Sequence, residues 1–372
     1  MAPRFSVLIP THNRSGLLRL AISSVLSQTE ADFELLVIGD GCTDDTADVV
    51  ASFDDARIRW LDLPKAPHFG YANRNVALRQ AAGAYIAFVT DDDLVFPDHL
   101  ALLAATLEES GAEWAYNRPL WVTTEGLVVP FASNLLNADE LDRFINYRNH
   151  IPSTCVMYRR SCLDKYGYWP EDVASSGDWR YWIRIIEGGH RAKLSYCPTP
   201  SVLHFNAAWR KTPETQISHV TAAREIAAGG AWWPAALNIP MSPGAVEQVV
   251  FDELIRREGY IDQLRRAVTQ VVERLAWMQL DETPEIHLRL REELRQAQHE
   301  LTVARAQLAA SLAHAAGLDQ FISAQRDQAT GKLAGTATSK VVATERTSEV
   351  ASASRRWAAP LRALRNLGRR KE

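Results

Sequence analysis

Short apolar runs alternate with amphipathic stretches in the first part of the chain. Residues 5–10, 35–38 and 85–89 are apolar runs that predict buried strands, and residues 15–28 carry apolar side chains at helical spacing. This alternation predicts an α/β fold with a mostly parallel sheet and helices on both faces. Ligands bind at the carboxyl ends of the strands in such sheets, so we expect the chemistry in the loops after these three runs.

The later segments differ in character from residues 1–112. The pattern is more mixed in residues 113–235, where we expect the sheet to continue into a half that shapes the substrate site. Residues 241–325 predict a helical extension, whose heptad-like spacing from Leu290 onwards favours a weak coiled coil and a homodimer. A helical hairpin packed on the first part of the chain is the alternative. Residues 326–354 are predicted to be a linker, followed by a basic amphipathic tail at residues 355–372.

Composition narrows the class of protein. The chain has 372 residues, of which 47% are hydrophobic and 23% charged, as in soluble globular proteins. A net charge of −4 argues against a nucleic-acid binder. The four cysteines are widely scattered, which favours a reducing cytosol over a disulfide framework. We expect no transmembrane helix, because no stretch of about 18 apolar residues is uninterrupted.

Three carboxylates stand together at Asp91, Asp92 and Asp93, directly after the third apolar run. Adjacent carboxylates repel one another unless a cation or water neutralises them, and hard oxygen ligands of this kind suit Mg²⁺ or Mn²⁺. The alternative is a solvated loop before the next helix, with Asp98 as the better helix cap. The acids alone do not decide between a metal site and a solvated loop.

Polar residues also follow the other two apolar runs. Asp40 and Gly41 come after the second run, and residues 10–14 (Pro-Thr-His-Asn-Arg) come at the end of the first. Each loop alone is also explained by an ordinary turn or connection. Three polar loops at successive strand ends converge on one crevice, however, and this convergence favours a ligand site.

Several of these segments resemble the family 2 inverting glycosyltransferases of bacterial polysaccharide type, which have the GT-A fold. The similar segments follow the family's order and spacing over roughly residues 5–205: residues 5–14 (FSVLIPTHNR), 24–28 (SVLSQ), 37–46 (VIGDGCTDDT), 70–75 (GYANRN), 83–93 (GAYIAFVTDDD) and 177–184 (GDWRYWIR). The chain departs from the family at Gly39 and at Thr90, where the family often has acids. The second departure leaves the register of the metal motif open, with Asp92 as our first choice of ligand.

The resemblance implies a role for individual residues. Asp178 would be the catalytic base. Asp92 and Asp93 would bind Mn²⁺ or Mg²⁺, with His204 completing the metal shell; a purely structural histidine is the alternative. The donor nucleotide would be contacted by residues of the three strand-end loops and of the following helix: Pro10, Thr11, Asn13, Arg14, Asp40, Arg74 and Asp91.

These residue types suit an inverting sugar transfer from a nucleotide-diphosphate sugar. The acceptor hydroxyl needs one carboxylate to take its proton, and a metal-held diphosphate leaves without needing a proton. For Asp178 the alternative is a plain helix cap. Two other functions remain open: a non-catalytic scaffold on the same fold, and a nucleotidyltransferase. The latter would want a glycine-rich basic phosphate loop, and residues 11–16 hold one arginine and one glycine.

The C-terminal tail suggests a location. Trp357, Leu361, Leu364 and Leu367 share one helical face with arginines around it, a pattern typical of helices that lie on anionic membranes. A disordered, solubilising end is the alternative, since Pro360 and Gly368 limit the helix. The resemblance to enzymes that use lipid-linked or saccharide acceptors favours the membrane. We therefore expect a cytoplasmic enzyme that contacts the inner face of the cell membrane.

Overall fold

Buried strands form the centre of the molecule, which is described from a computed structural model. The structure describes residues 2–131, 134–188, 194–205, 223, 225–228, 232–239 and 246–281. Its strands are β1 Phe5–Thr11, β2 Phe33–Asp40, β3 Ile58–Leu63, β4 Tyr85–Phe88, β5 Leu94–Val95, β6 Trp114–Asn117, β7 Leu120–Val122, β8 Val128–Pro130, β9 Val156–Arg159, β10 Leu194–Cys197 and β11 Val202–Phe205.

Helices connect and cover these strands. They are α1 Ser15–Leu26, α2 Thr46–Ala51, α3 Tyr71–Gln80, α4 His99–Ser110, α5 Ala138–Asn146, α6 Ser161–Tyr166, α7 Gly177–Gly188, α8 Val246–Arg256 and α9 Tyr260–Asp281, with short 3₁₀ turns at Ser153–Cys155 and Ala235–Leu237. The described part of the predicted helical extension is therefore divided by a turn at residues 257–259. The periodic apolar pattern continues across this turn, and for that reason the sequence did not predict the break.

The main sheet has seven strands in the order β10-β6-β9-β4-β1-β2-β3. All its pairs are parallel except those that β9 makes with β4 and β6. Every residue of β1 is buried, and successive side chains of a strand point to opposite faces, so both faces of the sheet are covered. The predicted α/β fold class with a mostly parallel sheet is confirmed.

The main sheet does continue into residues 113–235, through β6, β9 and β10, but it does not take up every strand of that range. Strands β5, β11, β7 and β8 form a separate four-stranded sheet in that order. Strand β11 pairs antiparallel with β5 and parallel with β7. Its core lies in a second cluster of buried apolar side chains that includes Phe96, Leu120 and Phe205. Short apolar runs do not reveal their sheet, because strand pairing is decided by contacts distant in sequence.

Helices α8 and α9 belong to the same compact unit as the two sheets, which spans Met1–Asp281. Val250 of α8 and Leu264, Val268 and Val271 of α9 are buried in the second apolar cluster. The first part of the predicted extension is thus helical. The heptad segment beyond residue 281, the linker and the basic tail lie outside the described residues. The predicted limits at residues 112, 235, 325 and 354 stay predictions.

None of the helices in the described ranges combines the length and the apolar character of a membrane-crossing segment.

Candidate active site

The loop after β4 meets the end of β1 at the buried carboxylate of Asp91. The hydroxyl of Thr11 donates to Asp91 Oδ2 at 2.8 Å, and Arg14 Nη1 donates to Asp91 Oδ1 at 2.8 Å. Arg14 also lies 3.5 Å from Asp92 Oδ2. Thr11 reaches Asp91 because β1 and β4 are parallel neighbours and end at the same edge of the sheet. Three of the predicted donor residues are therefore in direct contact.

The electrostatics of this corner leave negative charge in excess. Burial, together with the neighbouring Asp92 carboxylate, raises the pKa of Asp91 to about 6, against the opposing effects of Arg14 and Thr11. Two carboxylates thus share one guanidinium in a nearly solvent-free corner. Such a corner suits an additional cation.

Asp40 lies at the end of β2, the next strand, and it binds the loop after β3. Lys65 pairs with its carboxylate, and Asp40 Oδ1 accepts from the Ala66 amide at 2.8 Å and from Asn73 Nδ2 at 2.7 Å. Burial alone would raise the pKa of Asp40, but these three partners lower it overall. Asp40 is therefore ionised at neutral pH and fixes a segment that lies beside the donor side of the crevice.

The Asp40 carboxylate packs closely against the backbone of Gly70, the residue before α3. The φ of Gly70 is +71°, and a Cβ added there would lie 2.7 Å from Asp40 Oδ2. Only glycine combines this left-handed backbone with so close an approach.

Asn13 and Pro10, also predicted to contact the donor nucleotide, bond or pair with the neighbouring strand β2 and the loop after it. Asn13 Oδ1 accepts from the amide of Thr43 at 2.7 Å, which ties the loop after β1 to the loop after β2. Pro10 is buried within β1 and pairs in register with Ile38 of β2. Their contact with a donor stays a prediction.

Arg74 connects the donor-side acids with the predicted base. Its guanidinium donates to the carbonyl of Phe69 and lies 5.6 Å from the ring centre of Tyr71. Burial lowers the pKa of Arg74, whereas the carboxylates of Asp178, Asp40 and Asp91 raise it through their charges. The three predicted carboxylates at positions 40, 91 and 178 therefore all act on one half-buried guanidinium.

Asp178 begins helix α7, and α3 holds this end of the helix. The ring of Tyr71 packs against Gly177, where an added Cβ would lie 2.8 Å from it. Asp178 Oδ1 accepts from the amide of Trp179 at 2.8 Å. Asp178 is the second residue of α7 and this bond reaches only the next residue, which differs from the usual N-cap bond to the second or third amide. Since Tyr71 and Arg74 are both on α3, this helix sets the distance between base and donor side.

Asp93 and His204 bind each other. His204 Nδ1 lies 2.8 Å from Asp93 Oδ1 and 3.0 Å from Oδ2, and Asp93 also accepts from Thr154 Oγ1 at 2.5 Å and from the Phe205 amide at 3.3 Å. Burial would raise the pKa of Asp93, but the imidazole and these bonds lower it. His204 lies within β11 and not after its end, so its ring faces Asp93 across the β5–β11 pair.

The acids at this corner bear on whether the site could hold a divalent ion. Within the described ranges, no three His, Cys, Asp or Glu side chains are grouped closely enough to hold a metal ion by themselves. Mg²⁺ is commonly held by one or two carboxylates together with substrate phosphates, however. Arg14 Nη1 lies 3.5 Å from Asp92 Oδ2 but 2.8 Å from Asp91 Oδ1, so the ion pair of Asp92 with Arg14 is the weaker one. As ligands, Asp92, Asp93 and His204 stay predictions.

The sequence did not single out several residues that shape the site. Asn73 lies within the similar segment at residues 70–75, which was the available signal. Lys65 and Thr154 carried no signal, because they reach Asp40 and Asp93 only through the fold.

Acids gathered at adjacent strand ends of a mostly parallel sheet, with arginines among them, define a ligand-binding site of the kind that α/β enzymes have at this edge. Comparison with known proteins agrees. The chain belongs to glycosyl transferase family 2, whose family model matches residues 6–167.

Two curated relatives illustrate the similarity. A PGL/p-HBAD biosynthesis glycosyltransferase of Mycobacterium bovis is 30% identical over 190 residues, which is 50% of this chain and 70% of the relative. A UDP-Glc:α-D-GlcNAc-diphosphoundecaprenol β-1,3-glucosyltransferase of Escherichia coli is 32% identical over 128 residues, or 34% of this chain and 50% of that protein. For a group of Rickettsia glycosyltransferases, the chain spans only about a third of the relative's length.

Among solved structures, residues 1–349 of Staphylococcus aureus TarS in complex with UDP-GlcNAc are similar to this chain. The TM-score is 0.47 and the sequence identity 20%, with 69% of this chain and 72% of TarS 1–349 covered.

Proposed function

We propose that the protein is an inverting, metal-dependent glycosyltransferase that moves a sugar from a nucleotide-diphosphate sugar to an acceptor hydroxyl. The observation that carries the proposal is the contact of Thr11 and Arg14 with the buried Asp91 at the carboxyl edge of the sheet, where Arg74 also senses the charges of Asp40, Asp91 and Asp178. Such a grouping suits a donor diphosphate on one side and an acceptor hydroxyl on the other. Family membership supports the same reaction class.

The donor would lie along the carboxyl edge of the sheet. Its nucleoside would contact the end of β1 and the Asp40 segment, and the Asp91 carboxylate would accept from a ribose hydroxyl. Arg14 and Arg74 would meet the diphosphate, since guanidinium groups recognise phosphate oxygens by paired hydrogen bonds. Asp40 acts on the nucleoside partly through the Lys65–Asn73 segment that it holds.

Asp178 would take the proton of the acceptor hydroxyl as the anomeric carbon is attacked. The charge of its carboxylate acts on the Arg74 guanidinium, which would hold it beside the donor diphosphate. Mn²⁺ or Mg²⁺ bound by Asp92, with Nε2 of His204 nearby, would neutralise the diphosphate as it leaves. One base and an unprotonated leaving group correspond to a single displacement with inversion.

The acceptor and the location extend the proposal. The E. coli relative is named for a diphosphoundecaprenol-linked sugar, and on that basis we propose a lipid-linked or saccharide acceptor in cell-surface polysaccharide biosynthesis. A cytoplasmic enzyme with peripheral membrane contact through residues 355–372 would meet such an acceptor. We also keep the proposed homodimer through the heptad segment. Both segments lie outside the described residues.

Donor turnover by the purified protein tests the proposal. UDP-, GDP- and dTDP-sugars are offered with Mn²⁺, with and without excess chelator, and release of the nucleoside diphosphate is followed. We expect one donor class to be hydrolysed slowly in a metal-dependent manner, and faster with a suitable acceptor.

Asp172→Asn is the matched control for Asp178→Asn, because Asp172 is an exposed acid in the loop before α7. Activity that vanishes in Asp178→Asn and persists in Asp172→Asn supports the base. No release from any of the three donor classes by a folded, Mn²⁺-loaded protein would instead favour the scaffold alternative.

A further inference from the structure

Arg265, on helix α9, contacts the two segments that carry Asp93 and His204. Its Nη1 and Nη2 atoms each donate to the carboxylate of Asp98 at 2.8 Å, and its Nε donates to the carbonyl of Pro200 at 3.0 Å. Asp98 follows β5, and Pro200 precedes β11. We propose that Arg265 is a positioning residue that holds β5 and β11 together and so orients the Asp93–His204 pair; the inference rests on the proposed function.

The pairing of β5 with β11 provides the mechanical link. Val95 pairs with Val202 and Leu94 with Leu203 in an antiparallel ladder. Arg265 lies at one end of this ladder, where the Phe96 amide also donates to the carbonyl of Ser201 at 2.9 Å. The Asp93–His204 pair lies at the other end. Because the ladder is only two pairs long, a shift at the Arg265 end is transmitted to the imidazole.

The geometry of Arg265 is suited to this role. A guanidinium that bonds one carboxylate with two parallel hydrogen bonds has a fixed orientation, and Nε then holds the second segment. The guanidinium also lies 5.4 Å from the ring centre of Phe96, which extends the contact along the β5 side. Lysine could carry the charge but could not make all three hydrogen bonds.

Other contacts fix the β5 segment without spanning both strands. Gln28 Nε2 donates to the carbonyl of Phe96 at 2.7 Å, and the Thr29 amide donates to that of Pro97 at 2.7 Å. On the other side, β11 pairs with β7, where His204 lies opposite Trp121, and the Ser201 hydroxyl bonds His99 and Asn117. Loss of Arg265 should therefore change the spacing and register of the short β5–β11 pair without releasing either strand. This predicts a partial loss of alignment, and not collapse of the site.

The orientation of His204 matters because its Nδ1 bonds Asp93, which directs Nε2 away from that carboxylate. Partners that orient a functional imidazole typically change affinity or activity by about 10–100-fold when they are removed. Arg265 acts one step further out, so we expect the lower end of that range. It lies outside residues 6–167, the segment matched by the family model.

Arg265→Gln and Arg265→Lys test the inference in the full-length protein. Helix α9 should stay docked in both variants, because Leu264, Val268 and Val271 remain buried. Arg257→Gln is the control, since Arg257 forms an exposed ion pair with Glu253 just before α9. Ring nitrogen signals of His204 are recorded in protein labelled with ¹⁵N-histidine and are identified by their loss in His204→Gln. Affinities for UDP, GDP and dTDP with Mn²⁺ are measured by calorimetry.

We expect Arg265→Gln to shift the His204 ring signals and to weaken the best nucleotide by about tenfold. The nucleotide affinity of Arg265→Lys should lie between that of Arg265→Gln and that of the wild type. The affinity of Arg257→Gln should stay within about twofold of the wild type. Unshifted His204 signals in Arg265→Gln, or equal shifts in Arg257→Gln, would overturn the positioning role even if thermal stability falls. If the wild type binds none of the three nucleotides, the proposed function fails, and the His204 signals still decide the role of Arg265.

Discussion

Gly70→Ala should disturb the donor side of the candidate site more than it disturbs the fold. The added Cβ would lie 2.7 Å from Asp40 Oδ2 and 2.8 Å from its Cγ, and φ at this position is +71°. The variant therefore combines backbone strain with a collision against a carboxylate that is already bonded to Ala66 and Asn73.

Two other glycines separate these effects. Gly111 has a φ of +68° with open space around its Cβ position, so Gly111→Ala reports the strain alone, about 1–2 kcal/mol. Gly16 lies in α1 with nothing within 4 Å, and Gly16→Ala should stabilise by about 0.5–1 kcal/mol. In Gly70→Ala the carboxylate must also give up a hydrogen bond, which adds about 1.5–3 kcal/mol. Its free energy of unfolding should therefore fall by about 2.5–5 kcal/mol in all.

Urea unfolding, followed by tryptophan fluorescence, measures the three free energies, and calorimetry measures nucleotide affinity in the folded variants. We expect Gly70→Ala to weaken nucleotide binding about tenfold or more, while Gly111→Ala leaves it unchanged. Equal stabilities and equal affinities for Gly70→Ala and Gly111→Ala would refute the reasoning, because the contact with Asp40 would then have no consequence.

Three further outcomes are expected. Asp178→Asn should keep nucleotide binding while turnover falls by about 10² or more, the usual scale for loss of a general base; an equal loss of binding would indicate a structural cap. Asp92→Ala should remove the Mn²⁺-dependent rise in melting temperature that a nucleoside diphosphate gives, and near-normal turnover of this variant in chelator would contradict a metal role. The pKa of Asp40 is lower in the folded chain, so its charged form stabilises the fold above about pH 4, and this contribution is lost on acidification. The difference in free energy of unfolding between the wild type and Asp40→Asn should therefore narrow from pH 7 to pH 3. A difference that stays constant would contradict the stabilising role of the Asp40 charge.

The membrane prediction has a direct test. Full-length protein should pellet with anionic vesicles more than a variant that lacks residues 355–372, and high salt should reduce the difference, because each basic residue contributes about 1 kcal/mol through screened charge. Equal pelleting of both proteins would exclude the tail as the contact.

Local pattern was sufficient for the parallel half of the fold. Strands β1, β2 and β4 were predicted because buried strands are continuous apolar runs, and the helices between them because apolar side chains recur at helical spacing. The contact of Thr11 with Asp91 follows from the same information, since the carboxyl ends of neighbouring parallel strands share one edge of the sheet. The positions of the polar loops along the chain therefore predict that these loops meet at one edge of the sheet.

Tertiary structure decided the contacts whose partners are far apart in sequence. Nothing near Asp93 in the chain indicates that its carboxylate contacts His204, since that contact depends on β5 pairing with β11 in a second sheet. The same holds for Lys65 on Asp40 and for Arg265 on Asp98. Sequence periodicity determines which side chains are buried, but strand register and helix docking determine which buried side chains meet, because those depend on packing summed over the whole core.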